Sequence, residues 1–279
     1  MNIVEKLIWV TRDTPKNLLI VGDGMTDVYI NGQMGDCQER CPKFLEQDRV
    51  EVVGGARNAG RSLQHWHTPV VVYAPGDSVK TRFMAEGKCL FRYDHDLQYR
   101  EPDLFQQAVR FEFRRTAYAG ILLCDYDKGM LTTDFIDEVI EHCAEKDIPC
   151  VVDAKRHPGT YVGAILKCND SYMQTYPDTI GVEQVVVTYG ELPPVIWESG
   201  EPSTLEVEFQ PVQCVNYVGA GDCFAAHLTL ALAYDVPLKD AVAIAHAAAR
   251  CYVQYPYNRP PLLDDIVADL ASATSTSTP

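Results

Sequence analysis

The run Gly120-Ile121-Leu122-Leu123-Cys124, then Thr132-Thr133-Asp134-Phe135-Ile136, then Ile148-Pro149-Cys150-Val151-Val152, decides the fold. The first and last segments are short, apolar without alternation and bounded by polar residues, which is the pattern of strands buried on both faces. Between them Phe135, Ile136, Val139 and Ile140 recur at helical spacing, and Thr132 or Thr133 supplies the side-chain oxygen that caps a first turn. A strand, a helix of about four turns and a second strand make a βαβ unit, which requires a parallel sheet covered by helices on both sides.

Working outward, Leu18-Leu19-Ile20-Val21-Gly22, Val70-Val71-Val72-Tyr73 and residues 184–188 read as further strands of that sheet. Residues 29–53 have no helical period; Asn31-Gly32 suits a tight turn and Val50-Glu51-Val52 alternates, so this segment reads as hairpin material. Residues 83–93 form a second hairpin candidate. The C-terminal third is helical over residues 222–234, 238–254 and 261–271, and residues 272–279 are a small, polar tail expected to fray. With no internal repeat and no long linker, one α/β domain over 1–271 is expected, with lid material at 28–53 and 80–94.

Net charge is −15, from 39 acids against 24 bases, in a chain of 279 residues. A surface that acidic disfavours nucleic acid and anionic membranes, although it leaves room for a local basic pocket. No apolar run is long enough to span a bilayer, and residues 1–16 show no cationic-then-apolar leader pattern. Ten cysteines are scattered through apolar segments without a Cys-x-x-Cys pair, which favours reduced thiols and a cytoplasmic setting over metal clusters or disulfides.

Two glycine motifs carry the chemistry. Val218-Gly219-Ala220-Gly221-Asp222-Cys223-Phe224 leads into an apolar helix, with the acid placed at its first position. Small residues let backbone N–H groups approach a ligand, and a helix N-terminus favours an anion. An aspartate repels a bound phosphate but is well placed to take a proton from a hydroxyl that attacks it. The pairing suggests phosphoryl transfer to an alcohol, although a tight turn with an acidic first turn has the same composition. Earlier, Gly55-Ala56-Arg57-Asn58-Ala59-Gly60-Arg61-Ser62 approximates a P-loop, but Arg61 stands where a lysine's compact charge is needed. The better reading is a backbone approach by Gly54 and Gly55 to a polyhydroxylated ligand, with the Asn58 amide offering both donor and acceptor to adjacent hydroxyls.

With these two motifs in this order, the chain resembles the ribokinase-like (PfkB) carbohydrate kinases. Residues 21–27, 90–94, Cys124-Asp125-Tyr126-Asp127-Lys128-Gly129 and Val152-Asp153-Ala154-Lys155 look like corresponding stretches of one branch, the heptose-7-phosphate kinase domain of bifunctional heptose kinase/adenylyltransferases. The resemblance implies a three-layer α/β sandwich with a mostly parallel central sheet and a small β lid. It implies an ATP- and Mg2+-dependent sugar or sugar-phosphate kinase, with Asp222 as general base and the Gly219, Ala220 and Gly221 backbone as anion hole. Asp27, Gly54, Gly55, Asn58, Asp125 and Lys128 would bind the sugar substrate, Asp27, Gly55 and Asn58 through its hydroxyls. Lys80, Arg82 and Arg92 would meet a sugar phosphate, or else form a solvated hairpin face. Asn169, Thr188, Gly190 and His246 would line the nucleotide site, although His246 also fits as a packed helix histidine. A homodimer through the lid is expected from its exposed edge.

The departures are specific. The late motif reads Asn216-Tyr217-Val218-Gly219 where the family has Asp-x-Thr-Gly, and Asn169-Asp170-Ser171-Tyr172 lacks the glutamate tied to magnesium, leaving Asp170 as the substitute. Scaffold is also shortened at residues 74–80 and 176–184. These losses motivate an alternative, a degenerate relative that binds nucleotide or sugar phosphate without turnover.

Overall fold

The computed structural model describes residues 1–36, 41–76, 78–177, 181–205 and 208–274. Helix α1 (Ile3–Arg12), capped reciprocally by Asn2 and Glu5, leads into β1 (Leu18–Gly22). The chain then leaves the central sheet for two long strands, β2 (Gly24–Gly35) and β3 (Lys43–Gly55), and returns through α2 (Ala56–Ser62) to β4 (Val70–Tyr73). It leaves again for β5 (Ser78–Ala85) and β6 (Lys88–His95). Helices and strands then alternate through α3 (Pro102–Arg115), β7 (Gly120–Cys124), α4 (Thr133–Lys146), β8 (Cys150–Asp153), β9 (Ile165–Asn169), α5 (Asp170–Thr175) and β10 (Gln184–Tyr189). A hairpin of β11 (Leu192–Glu198) and β12 (Glu201–Thr204) follows, and α6 (Ala220–Ala233), α7 (Leu238–Val253) and α8 (Leu263–Thr274) complete the fold.

The central sheet has the order β12-β11-β10-β9-β8-β7-β1-β4, parallel from β10 to β4 and antiparallel at the β11–β12 edge. Alternation along each strand sends side chains to two cores. Leu18 and Ile20 pack with α6 and α7 residues such as Phe224 and Ala245, whereas Leu19 and Val21 pack with Phe105 of α3 and Phe135 of α4. Helices therefore cover both faces of a buried parallel sheet, the three-layer α/β arrangement expected. Each fully buried Leu or Ile on these strands contributes roughly 1.5–3 kcal/mol.

The lid is a second sheet in the order β3-β2-β5-β6, with β2 and β5 parallel and the outer pairs antiparallel. It is wider than the sequence suggests, because β2 begins two residues after β1 ends. Asn31-Gly32 lies inside β2 as a bulge and not at a turn: the Asn31 amide donates to Asp48 of β3 and to the Tyr257 hydroxyl, at 3.5 and 3.1 Å. The β2–β3 connection includes residues 37–40, outside the described residues.

Other differences have local causes. α3 escapes a periodicity reading because half of its residues are charged or polar and it buries only Phe105, Gln106 and Val109. β9 escapes because the buried Lys167 interrupts its apolar run. α8 starts at Leu263, after Pro260-Pro261, and continues to Thr274 because Ala273 still packs into the body. Of the expected frayed tail, 272–274 is thus helical and 275–279 lies outside the described residues. The shortened stretches at 74–80 and 176–184 form no helix among the described residues; 77 and 178–180 lie outside them.

Candidate active site

Parallel strands end together, and residues just past their C-terminal ends converge on one crevice. Gly22 of β1 is in register with Cys124 of β7, Cys124 with Asp153 of β8, and Asp153 with Lys167 of β9. Asn169 and Thr188 are paired at the ends of β9 and β10. A cavity of about 1080 Å³ opens above this edge. The lid contributes Met25, Asp27, Gly55, Lys80 and Arg82; the body contributes Tyr126, Asp153, Lys155, Lys167 and residues 218–222; the far wall is formed by Asn169, Asp170, Thr188 to Pro194, Phe209 and His246.

Asp222 stands at the centre, at the third position of α6 and not the first, because Gly219 is the N-cap and Ala220 opens the helix. Gly219 needs its positive φ of 84°, and a Cβ there would lie 2.4 Å from both Asn58 Nδ2 and the Tyr252 hydroxyl oxygen. The Ala220 N–H donates to the Tyr217 carbonyl and the Val218 N–H to Asn216 Oδ1 (3.2 and 3.1 Å), while the Gly221 and Asp222 N–H groups find no acceptor among the described residues. These two donors therefore form the open part of the helix N-terminus. Gly221 is the close-approach position, since a Cβ would meet Lys167 Nζ at 2.8 Å.

The Asp222 carboxyl is 5% exposed and its pKa is pushed up to about 6, chiefly by burial and then by the charge of Asp153. Tyr126 donates its phenolic hydrogen to Oδ1, and the Asn58 amide donates to Oδ2 at 2.9 Å. Beside it, Lys167 pairs with Asp153 at 3.1 Å, both nearly fully buried. Burial alone would raise the Asp153 carboxyl, but Lys167 and Lys155 hold it below its ordinary value. Burial lowers Lys80, opposed by Asp27. Arg82 reaches Asp27 Oδ1 at 2.6 Å, so the lid carboxylate and the lid guanidinium form one buried unit. Three lysines and two arginines, Arg82 and Arg250, thus line the cavity of an acidic chain, an environment suited to phosphate groups.

The residues singled out from the sequence divide into three groups. Asp27, Gly55, Lys80, Arg82, Asn169, Asp170, Thr188, Gly190, Gly219, Ala220, Gly221, Asp222 and His246 line the cavity. Asn58 and Gly54 lie behind it: Asn58 is fully buried against Asp222 and Tyr252, and Gly54 leaves space for the Asp27 carboxylate, which a Cβ would approach to 2.5 Å. Asp125, Lys128 and Arg92 lie outside it. Asp125 is buried against Arg156 and accepts from the Tyr161 hydroxyl. Lys128 pairs with Asp96 at 2.6 Å beside a smaller cavity of about 580 Å³ at the root of the lid. Arg92 pairs with Asp94 on the exposed strand β6. Asn216, standing where the resemblance calls for an acid, ties its loop to Tyr29 and Asn258 (3.2 and 3.3 Å). His246 packs edge-on against Phe209, and burial lowers its pKa to about 4.

Tyr126, Asp153, Lys155 and Lys167 were not singled out as site residues from the sequence. The signal for three of them was present, in the matched stretches 124–129 and 152–155. Lys167 gave a different signal, a charged residue within an otherwise apolar strand. Asp23 completes the scaffold: its Oδ2 accepts from the Tyr126 and Lys128 N–H groups at 2.8 and 3.2 Å and so fixes the loop that carries Tyr126.

Residues 165–265 match the family model described as pfkB family carbohydrate kinase. The chain is 26% identical to the bifunctional protein HldE of Gluconobacter oxydans, over 83% of its own length and 60% of that relative. It spans about 60% of the length of the curated relatives it matches over most of its own. Among solved structures, a putative ribokinase from Agrobacterium tumefaciens superposes with a TM-score of 0.70 at 14% identity, covering 94% of this chain and 99% of that one. Arabidopsis thaliana ribokinase complexed with ribose and ATP gives 0.66 at 15% identity, covering 92% and 99%. The resemblance drawn from the two glycine motifs is borne out, and the fold is ribokinase-like.

Proposed function

We propose that this ribokinase-like member of the pfkB carbohydrate kinase family transfers the γ-phosphoryl group of ATP to a hydroxyl of a phosphorylated sugar, with Asp222 as general base. The observation that carries this reading is a buried carboxyl with a pKa of about 6, set beside two N–H groups at a helix N-terminus that find no acceptor among the described residues. A base that titrates near the working pH is largely ionised yet still a competent proton acceptor. A hydroxyl placed against Asp222 gives up its proton as it attacks, and the Gly221 and Asp222 N–H groups stabilise the charge on the transferring group. Lys167, held against Gly221, adds positive charge at the same place.

At the lid end, Asp27 offers a carboxylate to sugar hydroxyls, while Lys80, Arg82 and Lys155 supply cations for a phosphate on the acceptor. At the other end Asn169, Thr188, Gly190 and His246 form the nucleotide wall, with Phe209 an apolar surface for a base. ATP supplies the phosphoryl group, and Mg2+ carried on its phosphates offsets their charge. Among the described residues no three His, Cys, Asp or Glu side chains cluster as a metal site, which suits an ion held mainly by phosphates and water, with Asp170 the carboxylate available on that wall. Among the described residues, no helix is long and apolar enough to cross a membrane. The same reading includes a dimer formed over the lid, where Leu90, Phe91 and Tyr93 of the edge strand β6 are exposed; light scattering in solution tests it.

The test is ADP release from ATP and magnesium across a panel of sugar phosphates, free sugars and nucleosides, with Asp222→Asn as control. Turnover on a sugar phosphate that is lost in the variant supports the reading. Binding of ATP without turnover on any acceptor overturns it in favour of a non-catalytic relative.

A further inference from the structure

Both oxygens of Asp222 are already occupied. Asn58 donates to Oδ2 from a fully buried position and is itself locked by the Tyr252 hydroxyl, which contacts its Nδ2 at 3.1 Å and its Oδ1 at 3.2 Å. Tyr126 donates to Oδ1 from the cavity wall, in the manner an acceptor alcohol would have to. An alcohol can reach the carboxylate only where a donor gives way, and of the two only Tyr126 is half-buried and borders open space. Its loop is fixed by Asp23 and by the Asp125–Arg156 pair, so the ring must move about its side-chain torsions.

Two ammonium groups hold the ring. Lys80 Nζ of the lid lies 5.3 Å from the ring centroid and Lys155 Nζ of the body 5.5 Å. Cations over an aromatic ring attract its face and, by withdrawing electron density, make its hydroxyl a better donor. These are two of the cations that a phosphate entering the cavity would attract most strongly, because phosphate oxygens compete far better for an ammonium group than a ring face does.

We propose that Tyr126 is a latch on the base, released by a phosphate monoester carried on the acceptor: the phosphate draws Lys80 and Lys155 off the ring, the phenol leaves Asp222 Oδ1, and the acceptor hydroxyl takes its place. This rests on the sugar-phosphate kinase reading and deepens it, since it makes the acceptor's phosphate a condition for freeing the base and not only a handle for binding. Tyr126 is then a positioning residue that sets selectivity for phosphorylated over free sugars, and it keeps water from the base while the site lacks its substrate.

Two readouts test it. In the first, 3-fluorotyrosine is placed at position 126 and its 19F resonance is followed as inorganic phosphate is added, against chloride at equal ionic strength. The latch predicts a saturable shift with phosphate only, lost when Lys80→Met and Lys155→Met are combined; no phosphate-specific shift overturns it. In the second, kcat/KM is compared for a sugar phosphate and for the same sugar without phosphate. Tyr126→Phe keeps the ring but not the donor, so the wild-type preference for the phosphorylated acceptor should fall roughly tenfold, the worth of one hydrogen bond to a charged group. The free sugar should gain more than the sugar phosphate. An unchanged preference overturns the latch even where the variant is folded and active. If the wild-type protein turns over neither acceptor, the kinase reading fails, and the 19F response alone decides the latch.

Discussion

Replacing Asp222 by asparagine should stabilise this protein under the conditions in which it removes the chemistry. The folded carboxyl titrates at about 6 against an ordinary 3.8, because burial and the Asp153 charge oppose its ionisation. A rise of about two pKa units corresponds to about 3 kcal/mol of folding free energy lost once the group is ionised in both states. The loss is absent at pH values below 3.8, grows as pH rises, and is complete above about 6. In the variant, the side-chain oxygen still accepts from Tyr126, but the new NH2 group faces the Asn58 amide, which must turn over at a cost of about 1 kcal/mol. The net gain near pH 8 is then about 2 kcal/mol, on the order of 5 °C in the denaturation midpoint for a chain of this size. Turnover should meanwhile fall by two to about four orders of magnitude, the usual worth of a general base. Thermal unfolding followed by circular dichroism at several pH values, with ADP release measured on the same samples, checks both. A midpoint difference that does not grow with pH refutes the buried, unfavourably ionised carboxylate; unchanged turnover refutes its role as base.

Other sites give independent checks. Gly219→Ala forces a Cβ to within 2.4 Å of Asn58 and Tyr252 at a φ of 84°, so urea unfolding should show a loss of on the order of 1–3 kcal/mol together with reduced turnover. Lys167→Met leaves the Asp153 carboxylate buried without its partner, at a cost of about 3–5 kcal/mol; adding Asp153→Leu should restore much of the stability but none of the activity. His246 has its pKa lowered to about 4 by burial, so it stays neutral from pH 5.5 to 8 and the KM for ATP should be flat there, while kcat/KM for the acceptor falls as pH drops through about 6 with Asp222. A step in the ATP KM near pH 6.5 would contradict the placement of His246. On the kinase reading proposed above, chelation of magnesium should abolish ADP release, and restoring magnesium should recover it; ADP release that survives chelation contradicts the Mg-ATP donor.

How far the sequence could be read follows from the range of each signal. The strands β1, β4, β7 and β10 and the helices α4, α6 and α7 are visible because a buried parallel sheet demands continuous apolar runs and its helices demand a period near 3.6. The late glycine motif is equally legible, since a positive φ and a close backbone approach leave few residue types to choose from. The lid was located but not measured, because an exposed strand such as β6 carries no burial pattern to mark its ends. Lys80 and Arg82 share one face of β5 by simple alternation and do reach the cavity, yet Arg92, directly opposite Arg82 in the ladder, is held by Asp94 on the exposed edge.

By itself, then, the sequence determined a parallel α/β sheet with a strand-rich lid, a glycine turn at the head of α6, and the acid that follows it. These are local properties, decided by side-chain periodicity and by the steric tolerance of single residues. Only the tertiary structure decided which charges meet. Asp125 and Tyr126 are adjacent in the chain, but one is held inward by Arg156 and the other borders the cavity. Asn58, legible as a ligand for sugar hydroxyls, instead holds Asp222, and Lys167, read as nothing in particular, stands against Gly221. Those meetings depend on strand order and register between segments far apart in sequence, and no local pattern encodes the distance between them.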